Sequence, residues 1–185
     1  MSILKVARMG HPVLRAKARP IEKGELKSPG LQQLIDDMVD TMFEYSGVGL
    51  AAPQVHEGVR LFVAMLDADG RGEGDATVFI NPEITPAGDA VVDGWEGCLS
   101  IPDMRGRVPR AQQVTVSALD RDGKRFEIDL EGFPARVVQH ETDHLDGVLF
   151  IDRMRSLESL TYLEEYSRYH ARRADDGEDE DEGDE

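Results

Sequence analysis

The sequence predicts an α+β fold, a single domain with mixed or antiparallel strands, and three observations carry that expectation. Helix-like and strand-like segments are interspersed without the regular alternation of a parallel α/β sheet. Two strand-like runs are joined by Asp122-Gly123, a local hairpin signal. The length, 185 residues, matches one domain of about 100–200 residues.

The elements follow in order along the chain. Ser28-Pro29 opens LQQLIDDMVDTMF, where Leu31, Leu34, Ile35, Met38, Val39, Met42 and Phe43 recur at three- and four-residue spacing and define one apolar helix face. Ser28 suits the cap, Pro29 the first helical position, and Gly47 lies just past the end. Strand-like runs come next: RLFVAML (60–66), TVFINPEI (77–84), QVTVSALD (113–120) and KRFEIDL (124–130). A second helix begins near Pro134 and runs through ARVVQHETDHL to Gly147, and a last one spans about 157–172. Residues 1–173 form the expected domain, followed by an acidic tail at 174–185, read as disordered because like charges repel and nothing in it favours burial.

Composition excludes several classes. The net charge is −16, and Asp175 to Glu185 alone contribute nine acids and no base, leaving −7 on residues 1–174. A mildly acidic body lacks the basic footprint of a DNA-binding protein. No run approaches the roughly 20 apolar residues that span a bilayer, and no secretory signal is visible at the start. Cys98 is the only cysteine, so a disulfide framework is excluded; the expectation is a cytoplasmic protein.

The chemistry concentrates in QHETDHLDG. His140 and His144 are four residues apart, within about 40° of one another on a helix, so both imidazoles reach one metal ion. Glu141 is turned about 100° from His140 and about 60° from His144, which sets its carboxylate beside that ion. A further ligand is needed. Downstream, His170 and the acids beyond it are candidates; upstream stands the thiol of Cys98 in EGCLS. A lone cysteine is usually an inert buried residue, but beside a helix-borne histidine pair it becomes the better ligand candidate. A third segment, Gly47-Val48-Gly49-Leu50-Ala51-Ala52-Pro53-Gln54, allows close backbone approach and offers an amide donor, although alone it reads as a tight structural turn.

GVGLAAPQ, EGCLS and QHETDHLDG, in this order and together with the opening GHPVLR, resemble the peptide deformylases over roughly residues 4–153. The resemblance implies strands around a central metal-binding helix and removal of the N-formyl group from the N-terminal formylmethionine of newly made polypeptides, releasing formate. It implies that Cys98, His140 and His144 hold one divalent ion, Fe2+ in the cell, with Zn2+ or another divalent ion able to take the same site. Metal-bound water would attack the formyl carbon with Glu141 as general base and then acid. Gln54 and the backbone N–H of Leu99 would face the formyl oxygen. Val48 and Gly49 would meet the extended peptide, Val137 and Gly97 the methionine side chain, and Arg105 matches a family position near the peptide, although an exposed arginine explains itself equally well.

Partners implied are N-formylmethionyl nascent peptides and, as in some family members, the ribosome through the C-terminal segment. Arg168, Arg172 and Arg173 would assist that docking, whereas the polyanion after them opposes contact with rRNA. No DNA or membrane partner is expected. Two other readings compete: a zinc endopeptidase using the same helix, and a structural metal site in a binding module, which would fill every coordination position with protein ligands.

Overall fold

In a computed structural model, which describes residues 2–66 and 76–171, the α+β expectation holds. Among the described residues, two antiparallel sheets flank one helix. The first sheet has the order β1 (Gly49–Ala51), β2 (Leu61–Ala64), β3 (Thr77–Pro86), β6 (Gln113–Leu119), β7 (Arg125–Glu131). The second has the order β4 (Val91–Cys98), β5 (Ile101–Ala111), β8 (Thr161–Tyr162). Helix α2 (Phe133–Leu145) packs against β1, β2 and β7 of the first sheet and β5 of the second. No helix of the described residues is long and apolar enough to cross a membrane.

Local chemistry explains the first helix, α1 (Pro29–Glu44). The Ser28 hydroxyl accepts from the Leu31 N–H at 3.3 Å, satisfying one of the orphan donors of the first turn. At the other end Ser46, not a glycine, takes the left-handed conformation with φ 52°. The Ser46 N–H then bonds Phe43 O and the Gly47 N–H bonds Met42 O, a Schellman closure. Ile35, Met38 and Met42 on the inner face pack with Leu50, Leu61, Val63 and Ile80. Around α2, Ala135, Val138 and Leu145 meet Phe62, Phe79 and Val116, with Phe62 and Phe79 stacked at 4.5 Å.

The four expected strands appear as β2, β3, β6 and β7. Asp120 accepts from the N–H groups of Asp122 and Lys124, and Gly123 supplies φ 77° at the turn between β6 and β7. The long β4–β5 hairpin was not among the expected strands. Pro102 and Pro109 interrupt β5's strand signal, and they are tolerated because among the described residues only β4 flanks them: β8 pairs with β5 at Met104 and Arg105. The glycine-rich turn at 47–54 is instead the sheet-edge strand β1 followed by a 3-10 turn, Ala52–Val55.

The helix expected over 157–172 is corrected. The chain makes a 3-10 turn at Leu157–Ser159, pairs β8 with β5, and only then forms α4 (Leu163–Tyr169). Pairing Thr161 with Arg105 and Tyr162 with Met104 overrides the helical pattern there. Tyr166 and His170 pack on Trp95, each with ring centroids at 5.0 Å. A short helix, α3 (Phe150–Arg153), precedes this segment. The acidic tail at 174–185 lies outside the described residues, as do Arg172 and Arg173.

Candidate active site

The site forms where the tip of the β4–β5 hairpin meets α2. Cys98 ends β4, just after a register shift between Glu96 and Cys98 that re-aims the strand. His140 and His144 project from successive turns of α2, their rings centred 5.0 Å apart. Cys98, His140 and His144 each offer a donor atom, and these atoms lie within 4.8 Å of one another. Cys98 Sγ is 3.2 Å from His144 Nε2. A tetrahedral ion with ordinary metal–sulfur and metal–nitrogen bonds holds such atoms about 3.5 Å apart, so the donor set fits a divalent cation. His170, the downstream alternative, packs on Trp95 and does not join the cluster.

The histidine tautomer is set from behind. His140 Nδ1 donates to Glu96 Oε2 at 2.8 Å, leaving Nε2 for a metal. Glu96 is gripped by Arg110 through Nε and Nη2, at 2.9 and 3.0 Å, and by Arg136 Nη1 at 2.9 Å. Arg110 Nη1 in turn reaches Asp143 at 2.6 Å, and Asp143 also accepts from Arg153 at 2.7 Å. Sequence reasoning missed this chain of charges. Glu96 and Asp143 lie inside two of the motifs, and that was the available signal; Arg110, Arg136 and Arg153 left none at their own positions.

Charge stabilisation is mutual. Burial pushes the Cys98 thiol up, yet His144 and His140 overcome it and hold the thiol well below its usual value. Burial pushes His140 down, and Cys98 with Glu96 hold it well above the usual imidazole value instead. A dication held by these donors would take the place of that proton. Burial pushes the Glu141 carboxyl up to about 7, against the pull of the two histidines. Glu141 Oε2 is buried without a hydrogen-bond partner among the described residues, which leaves one carboxylate oxygen for a proton from water or substrate.

Gln54 is 2% exposed and oriented by its own backbone: Oε1 accepts from the Ala51 N–H at 2.8 Å. Its Nε2 therefore points at Cys98 Sγ, 3.5 Å away, and Ser100 Oγ, 3.3 Å away. Leu99 occupies the hairpin turn next to Cys98. A cleft of ≈ 940 Å³ opens over this centre, lined by Val48, Gly49, Gln54, Gly97, Cys98, Leu99, Arg105, Val137, His140 and Glu141. Apart from His170, the candidate site residues are thus gathered at one cleft, with His144 just beneath it and 1% exposed. Arg105 lies across the Gly97 backbone, where a Cβ would meet its Nη1 at 1.7 Å. Lys5, Val6, Arg8, Trp95 and Leu163, none expected from sequence, are among the other residues of its walls.

Comparison with known proteins places this arrangement in context. Residues 3–160 match the family model described as polypeptide deformylase. The curated peptide deformylase 2 of Nostoc sp. is 44% identical over 168 residues, covering 89% of this chain and 93% of that protein. The Met-Ala-Ser-bound crystal structure of class I type b peptide deformylase from Acinetobacter baumannii is 43% identical with a TM-score of 0.77, covering 83% of this chain and 99% of that one. The Thermotoga maritima peptide deformylase structure is 39% identical with a TM-score of 0.76, covering 84% of this chain and 100% of that one.

Proposed function

The chain belongs to the peptide deformylase family, and from that membership and the geometry of the cleft we propose how its own residues carry the reaction. The reaction is metal-dependent removal of the N-formyl group from the N-terminus of nascent peptides. The observation that carries the reading is one thiol and two imidazoles converging beside a buried carboxylate with a free oxygen.

Cys98, His140 and His144 would hold one divalent cation, Fe2+ in the cell, with Zn2+ or another divalent ion accommodated by the same donors. Bound there, such a cation supplies Lewis acidity and lowers the pKa of water from about 15.7 toward about 7. The remaining steps fall to the protein. Glu141 accepts a proton from the attacking water and returns it to the departing amine nitrogen, a task for which its buried, unpartnered Oε2 is placed. The Gln54 amide and the Leu99 backbone N–H donate to the formyl oxygen as it gains negative charge.

Gly49, with Val48 just before it, would offer the peptide the edge of the first sheet, since among the described residues β1 pairs with β2 alone. Val137 and Gly97 bound the space for the methionine side chain, and Arg105 lies over the peptide path at Gly97. Residues 1–173 act as the catalytic domain, and the reaction is placed in the cytoplasm, where nascent formylated chains are made. Ribosome docking through the C-terminal segment would draw on Arg168, which is already engaged by Glu164 and Glu165. Equal ribosome co-sedimentation of full-length protein and a variant ending at 173 would show that the acidic tail is irrelevant to such docking.

The deciding experiment is anaerobic purification with metal analysis and a formate-release assay. Stoichiometric metal and formate release from formyl-Met-Ala, without cleavage of an unformylated peptide, supports the reading. Peptide-bond cleavage instead would favour the endopeptidase alternative.

A further inference from the structure

Glu96 is where strand β4 and helix α2 meet through charge, and each of its oxygens accepts twice. Oε1 takes Arg110 Nε and Arg136 Nη1, both at 2.9 Å; Oε2 takes Arg110 Nη2 at 3.0 Å and His140 Nδ1 at 2.8 Å. Arg136 and His140 are four residues apart on α2, so they stack on one helix face. Two successive turns of a single helix thereby grip the two oxygens of one carboxylate.

Arg136 reaches further. Its Nη1 also donates to Val108 O at 2.8 Å and its Nη2 to Val92 O at 2.7 Å. One guanidinium, 13% exposed, ties α2 to both strands of the hairpin that ends in Cys98. It reaches that place because residue 94 is glycine: a Cβ there would lie 2.7 Å from Arg136 Cζ.

We propose that Arg136 is a positioning residue for the metal centre, setting the hairpin-borne thiolate of Cys98 at ligand distance from the imidazoles carried by α2. The inference rests on the ligand assignment proposed above. Its physical basis is that the donors come from two elements far apart in sequence, and the planar fork of one arginine on α2 satisfies acceptors on both strands of the hairpin at once. A lysine, with a single ammonium, reaches fewer of them. Without Arg136, Glu96 keeps Arg110 and His140, so its buried charge stays paired while the hairpin loses its brace against the helix. The expected loss is therefore in ion retention and ligand geometry, ahead of any loss of fold.

The test compares unsubstituted protein with Arg136→Met, Arg136→Lys and Gly94→Ala, each loaded with Co2+ for spectroscopy and with Zn2+ for chelator competition. Circular dichroism follows the fold of each. Arg136→Met should bind Zn2+ about 10–100-fold more weakly and shift the thiolate-to-cobalt band, with Arg136→Lys between. Gly94→Ala keeps the charge but pushes the guanidinium off its seat, and should move both readouts in the same direction. It carries the test if Arg136→Met fails to fold. Zn2+ affinities within about two-fold of the unsubstituted protein, with an unchanged band, would reduce Arg136 to a stability contact and overturn the proposal, whatever happens to Tm. Absence of the band from the unsubstituted protein would overturn the ligand assignment, and this inference with it.

Discussion

The carboxylate of Glu141 rests directly against Gly49: a Cβ at position 49 would lie 2.4 Å from Oε1 and 2.8 Å from Cδ. A glycine of the sheet-edge strand therefore sets where the Glu141 carboxylate of α2 sits. Two separate sequence motifs meet in this contact, and the position of each depends on the other.

Gly49→Ala should fold, because the atom it displaces is the end of a side chain. It should keep its metal and lose about 10²-fold in kcat, the scale of a roughly 1 Å misplacement of a catalytic group. Formate release measured beside metal content checks this. Undiminished kcat would show that the exact seat of the carboxylate does not matter.

Glu141→Ala should retain the ion, since the three donors are intact, and lose roughly 10²–10⁴-fold in turnover. Metal analysis of the purified variant with single-turnover formate release separates the two effects. Near-normal turnover would remove Glu141 from proton transfer.

Gln54→Ala removes a donor aimed toward Cys98 and already oriented by the Ala51 N–H. The expected cost is about 2.7–4 kcal/mol in the transition state, read as a fall in kcat with KM little changed. An effect confined to KM would assign Gln54 to ground-state binding.

Glu96 predicts the acid side of stability. Burial works to raise its pKa, but His140 and Arg110 overcome burial and hold the carboxyl well below its usual 4.5. The unfolded chain thus takes up the proton first as pH falls. The stabilisation is complete above about pH 4.5 and drains away as pH drops below that value toward the lower folded-state pKa. Urea midpoints between pH 6 and pH 3 should fall steeply for the unsubstituted protein and more shallowly for Glu96→Gln. At pH 6 that variant should be less stable by about 3–5 kcal/mol, because Arg136 loses its buried counter-charge and Arg110 is left with Asp143 alone of its two.

What the sequence disclosed follows from where each signal resides. Helices α1 and α2 were readable because their apolar spacing and start residues are local, and β2, β3, β6 and β7 because their runs are uninterrupted. The β4–β5 hairpin was not, because three of its glycines serve distant side chains. Gly94 makes room for Arg136, Gly97 for Arg105 and Gly106 for Met154. Those contacts have no local signature, and glycine erases the alternation that would mark a strand. Tyr162 likewise became a strand residue only by pairing with Met104.

At the site, Cys98, His140, His144 and Glu141 were accessible to reasoning because a thiol, two imidazoles and a carboxylate are chemically distinctive at their own positions. Glu96, Arg110 and Arg136 act by holding another residue. Their importance exists only once β4, β5 and α2 are brought together in space.

X-ray absorption on the metal-loaded protein tests the central claim most directly. The account predicts one sulfur scatterer at about 2.3 Å and two imidazole nitrogens at about 2.0–2.1 Å for Zn2+, with the sulfur lost in Cys98→Ala. A first shell containing only nitrogen and oxygen, unchanged by that substitution, would contradict it.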